Sequence, residues 1–312
     1  MAFKSWVSLH THSTFSFKDG YAMPEAHAER AAGLGMSALG ITEHGNVSSH
    51  ARHEQACAKA GIKAVFGLEA YTAAAGYIEN KIRYKWHLGI IAMDNQGYAN
   101  LMSMVTESWH PEVFYHEPTV TGESLAVHSD GIAVLSGCTG SKLACDLVGG
   151  KGREEHPPDI RAATATAAAF RDLLGDRYYL EVQAFPGLDK TRAINSAYEH
   201  IGRSLGIPLV ATCDIHYPYP DDNSMHTLLH ATGRGGKTMD QQQQTWEYDI
   251  LMTYPQSEEN LWTDLRHTGL SRKAATAAIE NAGELADRCD VTLPKAPKLV
   301  YPIAEEDLEP WH

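Results

Sequence analysis

Short apolar runs recur along the chain, and most are followed by a segment of helical periodicity. Strands are expected at residues 6–9, 37–42, 63–68, 87–93, 131–136, 178–183 and 208–213, each bounded by Gly, Pro, Asp or His. Between them, helices are expected at 24–34, 50–60, 97–108, 121–128, 142–148, 159–174 and 189–205. Pro24 stands in a first helical turn, where its missing N–H costs nothing, and Gly35 and Gly61 stop the first two helices. In 97–108 the residues Tyr98, Leu101, Met102 and Val105 fall on one face. After 213 the pattern changes to helices at 221–232, 257–266 and 271–289, a Gly/Gln-rich loop at 233–244, and a Pro-rich tail from 291. Seven strands alternating with helices argue for an α/β, barrel-like domain.

The ends of these runs carry the chemistry. His10 and His12 leave the first strand on alternate residues, so both rings can turn to one side. His44, Glu69, Cys138 and the pair Asp214 and His216 stand at the ends of later runs, where α/β barrels gather their active sites. Asp19 precedes Gly20 in a turn. His87 stands at the start of its run, so strand four is either reversed or preceded by a bend.

Each residue also has a plainer explanation. Cys138 could be a small buried apolar residue, Glu69 a helix cap or partner of Lys63, Asp19 a turn residue, and His87 a core histidine. Those explanations would all have to coincide at one rim. His10, His12, Asp19, His44, Glu69, His87, Cys138, Asp214 and His216 are therefore the candidate metal ligands. Imidazole, carboxylate and one thiolate suit Zn²⁺, Mn²⁺ or Fe²⁺ better than Mg²⁺ or Ca²⁺. Nine donors suit two or three divalent ions, with Glu69 and Asp214 as bridges, and Asp19, Glu69 and Asp214 as catalytic carboxylates. Clusters of this kind hydrolyse phosphoesters. The helical histidines His27, His50, His53, His200, His226 and His230 are expected at the surface or without partners.

Composition narrows this reading without redirecting it. The net charge of −13 speaks against a broad basic surface for duplex DNA, though not against an anionic substrate held through metal ions. The five cysteines form no CxxC pair, which fits a reduced, cytoplasmic protein. No apolar run is long enough to span a membrane, and no signal peptide precedes the first strand.

The residues resemble those of the PHP (polymerase and histidinol phosphatase) domain, in the version found in the bacterial DNA polymerase III α subunit. The matching blocks are Leu9-His10-Thr11-His12-Ser13, Asp19-Gly20, Ile41-Thr42-Glu43-His44-Gly45-Asn46, Gly67-Leu68-Glu69-Ala70-Tyr71, His87-Leu88, the stretch 95–102, Leu135-Ser136-Gly137-Cys138, Tyr179-Leu180-Glu181-Val182-Gln183 and the stretch 208–217. The Gly97-Tyr98-x-Asn100-Leu101 and Leu135-Ser136-Gly137-Cys138 blocks favour the replicase branch over the histidinol-phosphatase branch.

The resemblance implies a PHP-type distorted (β/α)7 TIM-like barrel with a C-terminal helical extension, divided as 1–220 and 221–312. It implies a metal-dependent 3′→5′ exonuclease that proofreads in DNA replication and acts on a single-stranded or frayed DNA 3′ end. Glu43 departs from the family's usual Asp before the histidine and stays outside the ligand set. No paired-aspartate polymerase palm follows, so the chain is expected to be a stand-alone PHP protein or the first piece of a split polymerase. The alternatives are a scaffold docking on a separately encoded polymerase chain, or a small-molecule phosphatase of the histidinol-phosphatase type.

Overall fold

The computed structural model describes residues 6–149, 157–233, 238, 241 and 250–295. Most of the expected loop at 233–244, and the tail beyond 295, lie outside the described residues. Among the described residues, seven strands form one sheet in sequence order: β1 (Val7–Ser8), β2 (Ala38–Ile41), β3 (Lys63–Thr72), β4 (Trp86–Ala92), β5 (Ile132–Leu135), β6 (Tyr178–Gln183) and β7 (Leu209–Thr212). The sheet curls into a nearly closed, TIM-like barrel. Its ends meet at a single parallel bridge between Thr11 and Ile215, where His12 N donates to Ile215 O at 2.7 Å and Ile215 N to His10 O at 3.1 Å.

All strand pairs are parallel except those of β4, which runs antiparallel to both β3 and β5. Reversal is the outcome that the position of His87 allowed. A strand entered from the opposite end brings its first residues to the rim where the others bring their last. β3 is longer than the apolar run suggested, because it stays paired with β4 through Thr72↔Trp86, so Glu69 lies within the strand and opposite Gly89.

Strand residues alternate between two apolar layers. Val7, Leu9, Ala38, Val65, Ile91, Ala133, Leu135, Tyr179 and Val210 pack inside the barrel. Leu39, Leu68, Ile90, Val134, Leu180 and Ala211 face the surrounding helices. Leu9, Ile91 and Leu135 fit inside because glycines stand opposite them. A Cβ on Gly40 would meet the Leu9 backbone at 2.9 Å, one on Gly67 would meet Ile91 Cδ1 at 2.7 Å, and one on Gly89 would meet Leu135 Cβ at 3.0 Å.

The helices are α1 (Pro24–Gly33), α2 (His50–Ala60), α3 (Asn95–Ser108), α4 (Gly122–Val127), α5 (Lys142–Val148), α6 (Ile160–Leu174), α7 (Asp189–Leu205), α8 (Asn223–Gly233), α9 (Glu258–His267) and α10 (Arg272–Arg288). α10 sets Ala282, Leu285 and Ala286 against the inner layer and so closes the barrel opposite its histidine-rich rim.

The expectation of surface histidines fails for five of six. His27, His50, His53, His226 and His230 are buried, and only His200 is exposed. Apolar packing around an imidazole costs little once its polar nitrogens are met by the backbone. His50 Nε2 lies 3.0 Å from Gly67 O, and His53 Nε2 lies 2.9 Å from Leu39 O.

Candidate metal centre

The strand ends and their loops deliver the nine expected residues to one rim. His10 and His12 follow β1, His44 follows β2, Glu69 projects from β3, His87 opens the reversed β4, Cys138 follows β5, and Asp214 and His216 follow β7. Asp19 arrives on the loop after β1. That loop folds back so tightly that a Cβ on Gly20 would lie 2.2 Å from Ser13 O, which explains the glycine beside the acid. Asp214 is held in the left-handed region with φ 48°, a conformation that aspartate tolerates better than most residues.

The functional atoms converge. The ring of His12 lies with its centroid 4.4 Å from that of His44 and 4.7 Å from that of His216, and the rings of His44 and His87 are 4.9 Å apart. Cys138 Sγ is 3.3 Å from His87 Nδ1. Three sets of donors each fall within 4.8 Å: His12, Asp19, His44 and His216; His10, His12 and Asp214; and His44, Glu69 and His87. Cys138 belongs to none of these sets and stands at their edge, beside His87. A cavity of about 500 Å³ opens over Asp19, His44, Glu69, His87, Cys138, Asp214 and His216, and extends past Tyr84, Lys85 and Lys190.

Contacts behind the cluster aim its rings. His10 Nδ1 lies 2.6 Å from Glu181 Oε1, so that nitrogen carries the proton and donates it to the carboxylate. The same Glu181 oxygen accepts from Thr212 Oγ1 at 2.6 Å. Ser16 Oγ donates to Glu43 Oε2 at 2.6 Å; with its one proton so used, it accepts from His12 Nδ1 at 3.0 Å and from His44 N at 3.1 Å. His216 Nδ1 donates to Asp214 O at 2.9 Å. Gln183 Nε2 donates to Asp214 Oδ2 at 3.2 Å.

In all three histidines Nε2 is left facing the cluster, the arrangement that metal-ligating histidines show. The Nε2 atoms of His10 and His12 are only 3.1 Å apart. In neutral rings two lone pairs that close would repel, so an electrophile, either a proton shared with the neighbouring Glu69 and Asp214 carboxylates or a cation, belongs between or beside them. Asp19 Oδ2, His44 Nδ1 and Glu69 Oε1 are buried and make no hydrogen bond. These orphaned acceptors and the mixed nitrogen and oxygen donor set fit divalent cations.

Electrostatics agree with that fit. Burial alone would raise the carboxyl pKa values of Asp19, Glu69 and Asp214, but the surrounding imidazoles overcome it and hold all three carboxyls low. His12 is raised to about 10, because hydrogen bonds to Asp214 and Glu69 outweigh its burial. His10 is raised by Glu181, Asp214 and Glu69 against the same penalty. His44 is lowered, chiefly by burial. The site thus concentrates negative charge at the cavity floor and balances it with imidazolium protons, a role a bound cation would take over. Cys138 is pushed up by burial and by Glu69 and Asp214, so its thiolate form needs a neighbouring cation.

Glu181, Ser16 and His230 join the rim without having stood among its sequence candidates, and Glu43, set outside the ligand set, supports it from behind. Glu181 could have been flagged as an acid in the middle of an inward-facing strand. Glu43 acts through Ser13 and Ser16, whose hydroxyls both donate to its carboxylate, rather than on His44 directly. Ser16 orients His12. His230 Nε2 lies 3.3 Å from Asp19 Oδ1. Its signal was the spacing His226-x-x-x-His230, which sets both rings on one helix face.

Fold and rim together define a class: a distorted seven-stranded α/β barrel whose strand ends gather histidines and carboxylates around a shared cavity. The PHP domain family matches residues 8–185, and the chain belongs to that family. It is 31% identical to the DNA polymerase III subunit alpha of Treponema pallidum over 98% of its own length and 25% of that protein's. It is 29% identical to the corresponding Thermus aquaticus subunit over 96% of its own length and 24% of that protein's. The chain therefore spans about a quarter of the length of these relatives. Among solved structures it resembles a protein from Bifidobacterium adolescentis described as a metal-dependent phosphoesterase, with 15% identity, a TM-score of 0.38, and coverage of 68% of this chain and 88% of that one. Among the described residues, no helix is long and apolar enough to cross a membrane.

Proposed function

We propose that the protein is a metal-dependent phosphoesterase that removes nucleotides from the 3′ end of single-stranded or frayed DNA, beside a DNA polymerase III-type replicase. The facing Nε2 atoms of His10 and His12, 3.1 Å apart with both Nδ1 positions already committed, carry this reading. His12, Asp19, His44 and His216 would hold one ion, His10, His12 and Asp214 a second, and His44, Glu69 and His87, with Cys138 alongside, a third. The sets share His12 and His44, so the donors suit two or three ions of Zn²⁺, Mn²⁺ or Fe²⁺ rather than three separate complete sites.

When bound, such ions supply the positive charge that polarises a phosphoester and activates water. The chain's own groups do the rest. Glu181, Ser16 and the Asp214 carbonyl fix the imidazole faces. Asp19, Glu69 and Asp214 supply anionic anchors. Lys85 and Lys190 on the cavity wall add positive charge where an anionic substrate would extend.

The reading is tested by nucleotide release from a 3′-labelled primer with Mn²⁺ or Zn²⁺. Release is expected from the parent, with Asp19→Ala and Asp214→Ala each reducing it at least 100-fold, in keeping with the loss of a group that acts with the others as a unit. No release by the parent overturns the nuclease reading. Faster turnover of p-nitrophenyl phosphate than of oligonucleotides would instead favour a small-molecule phosphatase, the second reading that the two lysines allow.

A further inference from the structure

Helix α8 brings an imidazole against the cluster from outside the span matched by the PHP family, residues 8–185. Asp19 has two carboxylate oxygens with different company. Oδ2 lies 3.1 Å from His44 Nε2 and 3.1 Å from His216 Nε2. Oδ1 lies 3.3 Å from His230 Nε2, and the His230 side chain is only 7% exposed. One turn earlier on the same helix, His226 packs its ring with centroids 4.3 Å from His230, 5.4 Å from His216 and 5.2 Å from Tyr217. The α8 imidazoles are therefore set in place by the segment that carries His216.

The backbone around Asp19 needs this help. It sits between Lys18, with φ 63°, and Ala22, with φ 74°, on a loop rather than a strand. Terminal carboxylate torsions are broad, so the backbone alone leaves the plane of the carboxylate loosely set. A donor on Oδ1 fixes that plane and turns Oδ2 toward His44 and His216.

We propose that His230 is a positioning residue of the metal cluster: through Oδ1 it holds the Asp19 carboxylate in the orientation that the ion shared by His12, Asp19, His44 and His216 requires. The proposal rests on the metal reading given above. It makes one ion depend on a helix that lies beyond the matched family span, and it gives a buried histidine on α8 a role in the cluster.

The test compares His230→Leu, which keeps most of the volume and removes the donor, with His230→Gln, whose amide can still donate. Metal content, Zn²⁺ and Mn²⁺ affinity by titration calorimetry, and the visible absorption of the Co²⁺-loaded protein are read for each. His230→Leu is expected to weaken one ion by about 10–100-fold, the usual cost of losing a contact behind a ligand. It should also alter the Co²⁺ spectrum, while His230→Gln recovers most of the affinity and the parent spectrum. Equal affinities and spectra for parent and His230→Leu overturn the proposal and leave the metal reading standing. A parent that binds no ion overturns both. Equal losses in His230→Leu and His230→Gln also overturn it, because volume rather than donation would then be what matters.

Discussion

Glu181 touches neither solvent nor the cavity wall, yet it decides which nitrogen of His10 faces the cluster. Its carboxylate draws the Nδ1 proton and raises the electron density of the ring, as carboxylates behind metal-bound histidines do. Glu181→Met, similar in length but without an acceptor, should lower Zn²⁺ affinity by about 10–100-fold in a calorimetric titration. The residue was hidden because a lone acid within a strand reads equally well as a solvent-facing position; the alternation Tyr179, Glu181, Gln183 puts the three on one face without saying which face looks inward. The donors nearer the cavity were legible for the opposite reason. Two histidines on alternate residues, and acids closing successive runs, have no packing role that would put them all at one rim. His230 stayed out of reach because two histidines four apart on an amphipathic helix look the same whether they meet solvent or a carboxylate.

At the scale of single elements, strand and helix positions follow from periodicity, whereas direction and length follow from pairing. The reversal of β4 depends on which edge it meets, something no local pattern encodes. α3 shows a finer version of the same limit. The expected face of Tyr98, Leu101, Met102 and Val105 is rotated, and the buried positions are Gly97, Asn100, Leu101, Met104 and Ser108, with Met102 exposed. The cause is Gly97, where a Cβ would lie 1.7 Å from Gly131 O, so the helix leans in on its glycine. The same closeness governs β3. On Gly67 a Cβ would meet Ile91 Cδ1 at 2.7 Å, Thr42 Cγ2 at 2.8 Å and Ile90 O at 2.9 Å, the last a backbone atom that cannot step aside. Gly67→Ala should destabilise the protein by about 1–3 kcal/mol, the usual cost of overpacking, visible as a lower urea midpoint with an unchanged slope.

Across the whole molecule, buried neutral histidines make stability depend on acidity. Burial lowers His50 from 6.5 to about 3 and His53 from 6.5 to about 4. The unfolded chain therefore takes up protons near pH 6.5 that the folded chain refuses until about pH 4 or below. Their contribution is complete above about pH 6.5 and declines as the pH falls toward 4, by about 1.4 kcal/mol per pH unit for each histidine. The raised histidines of the rim act in the opposite sense, so the comparison that isolates this is between parent and His53→Gln: in denaturant titrations at pH 7.5 and pH 5 the variant should lose less stability on acidification. α10 belongs to the same scale. The chain's last described helix seals the barrel floor, a role its sequence could not announce, because the hollow it fills exists only once seven strands have assembled.

The seam between the first and last strands has one more consequence. Among the described residues, the ring of strands is fastened by one bridge at Thr11 and Ile215, between His10 and His12 on one margin and Asp214 and His216 on the other. A cation gripped by side chains from both margins works as a buckle on a hoop. Loading the centre would then also tighten the cylinder, and a lower melting temperature with chelator than with Zn²⁺ is the expected sign of it.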